Sequence, residues 1–231
     1  MRQFITDASH ELRTPLAAIQ GYAEITRQDS AVLPETTEYS LARIESESPR
    51  MNSLVSDLLL LARLDEGQDL ESTDVDLADM VVNAVNDAAV SAPAHRWVVD
   101  VPEHPVWVRG DRAKLHQAVA NLLPNTRVHT PAGTTVTATL RTDDDAERAA
   151  LAVTDDGPGV DAAMLPHLFE RFVRADKSRS RQAGNSFGLG LAITSAIVEA
   201  HLGSIVAESS DGRTVFTILL PSNSSQLALS T

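Results

Sequence analysis

Across residues 1 to 66 apolar side chains recur at helical spacing. Phe4, Ala8, Leu12, Leu16 and Ile19 form one stripe; Leu41, Ile44, Ser48, Met51, Val55, Leu58 and Ala62 form a second whose intervals alternate between three and four. The pattern predicts two helices, over about 2–28 and 35–64, with a break at 29–34. The second stripe is a heptad seam, and one hairpin cannot cover two such stripes by itself. Pairing two hairpins into a four-helix bundle does cover them, so the pattern predicts a homodimer. Pro15 and Pro49 remove backbone donors inside these helices and predict bends.

The period changes after the polar run Asp65-Glu66-Gly67-Gln68-Asp69. A helix is expected over 77–92, strands at 97–101 and 106–109, and a helix from Asp111, a good start residue, to about 128. Strands at 134–141 and 149–154 follow, then helices near 162–173 and over 188–201, then strands at 204–208 and 214–220. That order suggests an α/β sandwich, one sheet with helices packed on one face. The fold class is therefore α+β: a helical hairpin in a dimeric four-helix bundle (1–66), a linker (67–74), the α/β sandwich (75–222) and a Ser-rich tail (223–231).

Composition narrows the chemistry. In 231 residues, 43% of them hydrophobic, there is enough apolar material for packed cores. A formal charge of -13 argues against nucleic acid or an anionic membrane surface as the general partner. With no cysteine, disulfides, thiolate nucleophiles and cysteine-bound zinc are excluded. No apolar run approaches the ~20 residues of a membrane-spanning helix.

His10 lies two residues from Leu12, about 200° around a helix at ~100° per residue, so it falls on the polar side of the first stripe. Thr14 is four residues on, over the same face, and Glu11 is adjacent. The string Ser9-His10-Glu11-Leu12-Arg13-Thr14-Pro15-Leu16 resembles the H-box of bacterial sensor histidine kinases. The resemblance implies that His10 accepts a phosphoryl group from ATP, that Glu11 takes the proton from the other ring nitrogen, and that Thr14 orients water for the reverse, dephosphorylating task. It also implies that the chain is the cytoplasmic portion of a plasma-membrane sensor, attached through a segment absent here.

Four further segments extend the resemblance, in order, to the ATP-binding domain of these kinases. His116 to Pro131 is similar to the N-box: Asn121 and Asn125 project amides to one side of a helix, and amide oxygens suit Mg²⁺. By resemblance Asn125 is the Mg²⁺ ligand, Asn121 orders water or phosphate, and Arg127 and His129 line the nucleotide site. Pro124 and Thr126 depart from the family pattern, which usually has alanine at the latter position. Asp155-Asp156-Gly157-Pro158-Gly159-Val160 resembles the G1 box, with Asp155 accepting the adenine amino group and Gly157 and Gly159 letting the chain turn against the base. Phe169-Glu170-Arg171-Phe172 resembles the F-box. Arg171, Arg174, Lys177, Arg179 and Arg181 after it suggest a lid that neutralises phosphate charge. Gly188-Leu189-Gly190-Leu191 looks like the G2 box, where helix N-terminal amides point at phosphate. Ser186 and Phe187 replace the small residues usual before it. The other histidines, His95, His104, His116, His167 and His201, show no metal-ligand grouping and read as structural.

The resemblance therefore implies a two-component kinase core that uses ATP and Mg²⁺, works as a homodimer and hands phosphate to the receiver domain of a response regulator. Two alternatives stay open. One is a nucleotide-binding scaffold or a phosphatase-dominant degenerate kinase. The other is a gyrase- or chaperone-like ATPase of the same superfamily, against which the H-box argues.

Overall fold

The computed structural model describes residues 17, 19–26, 35–67, 70–143, 147–173 and 187–222, with the side chains of 35, 36, 127 and 128 left out. The H-box residues His10, Glu11 and Thr14, the basic stretch from Arg174 to Arg181 and the tail at 223–231 lie outside the described residues. The chain divides into two compact units, Met1–Gln68 and Asp69–Thr231.

In the first unit residues 19–26 are helical (α1), and α2 spans Glu35–Asp65. Pro49 does not break α2, although it takes one donor from the ladder. The Ser48 hydroxyl, 3% exposed, donates to the Ile44 carbonyl at 2.8 Å, and the Ser53 hydroxyl donates to the Pro49 carbonyl at 3.1 Å. Gly67, at φ 66°, ends the helix by the left-handed turn that glycine makes at least cost. Val55, Leu59 and Ala62 are buried, whereas Ile44 and Met51 of the seam are 38% and 45% exposed in the single protomer.

The second unit begins earlier than residue 75. Its elements are β1 (Thr73–Asp76), α3 (Leu77–Ser91), β2 (Arg96–Asp100), β3 (Trp107–Gly110), α4 (Arg112–His129), β4 (Thr135–Asp143), β5 (Arg148–Asp155), α5 (Gly190–Ala200), β6 (Ser204–Ser210) and β7 (Arg213–Pro221). Five strands form one sheet in the order β2-β4-β5-β7-β6, with β2 and β4 parallel and the other neighbours antiparallel. The separate ribbon β1-β3 is an addition to the single sheet expected from sequence. It forms because Asp76, the N-cap of α3, accepts from Ala78 at 3.0 Å and also from the Val106 amide at 3.1 Å, which draws the chain before β3 onto β1.

Strand periodicity drives the packing. Alternate residues of β4 (Val136, Ala138, Leu140), β5 (Ala149, Leu151, Val153) and β7 (Phe216, Ile218, Leu220) bury in one apolar cluster with side chains from α3, α4 and α5. Each such side chain fully buried is worth about 1.5–3 kcal/mol. The helix expected over 162–173 is absent. Asp161 instead accepts from the Ala163 amide at 2.9 Å, a local turn that competes with helix, and one 3₁₀ turn follows at Leu165–His167. Phe172 then adopts left-handed backbone at φ 65°.

His201, the C-cap of α5, ties the end of that helix to the start of α4. The ring is 7% exposed; Nδ1 donates to the Ile197 carbonyl at 2.7 Å and Nε2 accepts the Asp111 amide at 3.0 Å, which fixes the neutral Nδ1–H tautomer. Gly110 makes room for it, because a Cβ there would stand 2.7 Å from His201 Nε2 and 2.9 Å from Leu115 Cδ1. Gly110→Ala is therefore expected to destabilise the second unit by about 1–3 kcal/mol, the usual cost of overpacking, read as a lower midpoint in urea. An unchanged midpoint would mean that the imidazole moves aside freely.

Candidate functional site

Three elements meet around the C-terminal half of α4. Asp111 caps the start of that helix by accepting the Lys114 amide at 3.1 Å. The helix then runs through Pro124, whose side chain is exposed, so this departure from the family pattern leaves α4 continuous. Thr126 is 2% exposed, and its hydroxyl donates to the Leu123 carbonyl at 2.7 Å. A threonine is thus satisfied in a buried position where the family usually has alanine.

Asn121 and Asn125 stand one helical turn apart, both half-buried. The Asn121 Nδ2 donates to the Gly190 carbonyl at 3.2 Å, which leaves Oδ1 as the acceptor of that side chain. The Thr194 hydroxyl lies between the Gly190 carbonyl, at 2.9 Å, and the Ala118 carbonyl, at 3.3 Å, so α5 is pinned to α4 at its first turn. Asn125 Nδ2 is buried with no hydrogen-bond partner among the described residues. This unspent group is a donor, so what satisfies it is an acceptor such as a phosphate oxygen and not a cation. No group of three His, Asp or Glu side chains that could hold a metal exists among the described residues. A divalent cation here would therefore rely on amide and phosphate oxygens, which suits Mg²⁺.

Asp155 ends β5 and is 4% exposed. Burial pushes its carboxyl above the ordinary carboxylate range; the Gly157 amide, donating to Oδ1 at 3.0 Å, pulls it down, and the neighbouring Asp156 charge pushes it up again. Asp156 points away to close the sheet, accepting the Thr135 amide at 2.6 Å. Gly157 cannot carry a side chain: a Cβ would lie 2.5 Å from Thr130 Cγ2 and 2.7 Å from Asp155 Oδ1. Thr130, the C-cap of α4, is thereby set against the Asp155 loop. Its hydroxyl donates to the Thr126 carbonyl at 2.5 Å, and His95 Nε2 lies 3.0 Å from the Thr130 hydroxyl oxygen.

Gly188, at φ 72°, accepts the Phe172 amide at 2.9 Å, so the Phe169–Phe172 turn is joined to the start of α5. Leu189 caps α5 with no side-chain hydrogen bond, which leaves the first amides of that helix without a side-chain acceptor. The side chain of Leu189 is 2% exposed, so it can meet a ligand only through its backbone, whereas Leu191 packs partly buried against the core. Gly159, at φ 79°, lies in the loop after Asp155. His129 and Arg171 are exposed. Of the residues singled out from sequence, Asn121, Asn125, Asp155, Gly157, Gly159, Gly188 and Gly190 stand on these adjoining elements. Arg127 has no described side chain, and His10, Glu11, Thr14 and Arg174 lie outside the described residues. Thr130, Thr194 and Ser209 support the site without having been assigned a role from sequence. Only Thr130 carried a signal, as a residue of the N-box string.

Residues 110–224 match the family model described as the histidine kinase-, DNA gyrase B-, and HSP90-like ATPase, and residues 1–67 match the His Kinase A (phospho-acceptor) domain. The chain is similar to the sensor histidine kinase TrcS of Mycobacterium tuberculosis, 64% identical over 99% of this chain and 45% of that protein. It is also similar to the probable sensor histidine kinase TcrY of the same organism, 53% identical over 96% of this chain and 46% of that protein. The chain thus spans about half the length of the curated relatives it matches. Among solved structures, the mycobacterial sensor histidine kinase MprB aligns with TM-score 0.59 and 30% identity, over 65% of this chain and 99% of that one. Full-length ShkA in complex with AMPPNP aligns with TM-score 0.80 and 26% identity, over 96% of this chain and 46% of that one.

The upward shift at Asp155 has a sign that can be tested. A buried carboxyl that holds its proton more tightly folded than unfolded costs stability as pH rises from the ordinary carboxylate value, ~3.9, through the higher folded value. Asp155→Asn removes that titration and keeps an oxygen for the Gly157 amide. The melting temperature of the variant relative to the parent is therefore expected to climb between pH 4 and pH 7. A difference that is flat or falls over that range would contradict the assignment.

Proposed function

The chain belongs to the sensor histidine kinases, and we propose that it is the ATP-dependent kinase core of one: His10 receives the γ-phosphoryl group of ATP and passes it to an aspartate on a response regulator receiver domain. The observation that carries this reading is the Asp155 carboxylate, held 4% exposed at a strand end beside a glycine with no room for a Cβ. An ionised carboxylate in that setting accepts a hydrogen bond from an amino group such as that of adenine. Gly157 and Gly159 let the base approach. The uncapped first turn of α5 at Gly188 and Gly190 faces the phosphates, and Arg171 and Arg174 supply positive charge to them. Arg127 and His129, at the end of α4, line the same site.

The Asn125 amide oxygen is the kind of ligand that would hold Mg²⁺, its unpartnered Nδ2 is a donor that a phosphate oxygen can satisfy, and Asn121 Oδ1 fits the role of ordering water or phosphate beside it. When bound, the ion neutralises charge on the phosphoryl oxygens. His10 attacks with a neutral ring, which an ordinary pKa of ~6.5 allows near pH 7. An N–P bond forms at one ring nitrogen, the bond from Pγ to the ADP oxygen breaks, and the proton on the other nitrogen passes to Glu11. Thr14, four residues on in sequence, orients the water that removes phosphate from the regulator. The exposed seam residues Ile44 and Met51 support a homodimer through α2. No described helix is long and apolar enough to cross a membrane, and attachment to one rests with a segment outside this chain.

Incubation with γ-labelled ATP and Mg²⁺ is expected to give an acid-labile label on the parent and none on His10→Gln, while the affinity of the variant for a non-hydrolysable ATP analogue stays within about twofold. Label on His10→Gln at the parental level would overturn the acceptor assignment. In light scattering the parent is expected to be a dimer at micromolar concentration. Ile44→Glu combined with Met51→Glu should shift it to monomer, because charges desolvated in a seam cost several kcal/mol; a monomeric parent would refute the seam.

A further inference from the structure

The loop that follows Asp155 is held from outside by the β6–β7 hairpin. Its register pairs Ser210 with Arg213, so the connection is the two residues Asp211-Gly212, at φ 51° and 72°. Two positive φ values in a two-residue loop make the tight turn for which Asp-Gly is a favoured sequence. The turn comes to rest on the nucleotide loop, since a Cβ on Gly212 would meet the Gly157 carbonyl oxygen at 3.4 Å. Two residues before Asp211, the half-buried Ser209 reaches the same loop. Its Oγ accepts the Val160 amide at 2.8 Å and donates to the Arg213 carbonyl at 3.2 Å, across its own hairpin. Both bonds together orient the hydroxyl. Gly159, at φ 79°, passes so close that a Cβ there would lie 2.9 Å from Ser209 Oγ.

We propose that Ser209 is a positioning residue for nucleotide recognition: through the Val160 amide and the Gly159 approach it fixes the loop that aims the Asp155 carboxylate and Gly157 at the base. The inference rests on the ATP-binding reading of that loop. Ser209 touches no reacting atom, so its influence falls on the affinity for ATP and not on the transfer step. Ser209→Ala leaves the Val160 amide without its acceptor and frees the loop. Ser209→Thr keeps the hydroxyl.

The test uses the full chain as parent, Ser209→Ala and Ser209→Thr, with titration by a non-hydrolysable ATP analogue, labelling by γ-labelled ATP, and thermal melting. Loss of one neutral hydrogen bond is expected to weaken analogue binding and raise KM for ATP about three- to tenfold in Ser209→Ala, with the saturated labelling rate within twofold of the parent. Ser209→Thr is expected to recover at least half of that loss on a logarithmic scale, and the melting temperature of Ser209→Ala to stay within about 3 °C. Unchanged affinity in Ser209→Ala overturns the proposal, as does a saturated rate that falls in step with affinity and melting temperature. A parent that binds the analogue but takes no label sinks the kinase reading alone, because affinity still decides on Ser209. A parent that binds no analogue sinks both.

Discussion

The docking of α5 along α4 is the constraint on which the rest of the site depends. It is pinned at one end by the Asn121 amide and the Thr194 hydroxyl, which converge on the Gly190 carbonyl, and at the other by the His201 ring against the Asp111 amide. Between these pins the helices share an apolar core with alternate residues of β4, β5 and β7. A buried polar bond is worth most where its loss would strand a donor or acceptor away from water, and Thr194 and His201 are both in that position. The consequence reaches the chemistry. With α5 fixed, its uncapped first turn stands beside Asn121 of α4, and Thr130 at the far end of α4 abuts Gly157.

Much of this was legible in the residues. Strands with a strict period of two and helices with clear start residues, such as Asp111, fell within two residues of where the sequence placed them, because local and tertiary preferences agree there. The helix expected over 162–173 failed because its apolar spacing competes with the Asp161 turn and with Pro166, and a local hydrogen bond settles a short segment before any face can be buried. The β1–β3 ribbon was invisible because its first strand has four residues and is held by the second bond of a cap. Asn121, Asn125 and Asp155 could be picked out by motif. Ser209 could not, since its role follows from β6 and β7 being brought against a loop some fifty residues earlier in the chain.

The departures from the family pattern are absorbed by ordinary backbone chemistry. Pro124 stands on an exposed face where the loss of one ladder donor leaves the helix continuous. Thr126 spends its hydroxyl on the carbonyl of Leu123 within the same helix. Pro49 is flanked by serine hydroxyls that bond to carbonyls of their own helix. In the first unit the α2 seam leaves Ile44 and Met51 exposed, the observation on which the proposed homodimer rests.

If the buried Asp155 carboxylate recognises the amino group of adenine, as proposed above, the site discriminates between the two purines. Adenine presents a donor where guanine presents a carbonyl acceptor, and a site built around an acceptor rejects the analogue that lacks the donor. Titration of the full chain with non-hydrolysable ATP and GTP analogues, under the same Mg²⁺ and near neutral pH, tests this most directly. The ATP analogue is expected to bind at least about tenfold more tightly, and Asp155→Asn to narrow the gap. Equal affinity of the parent for the two analogues would contradict it.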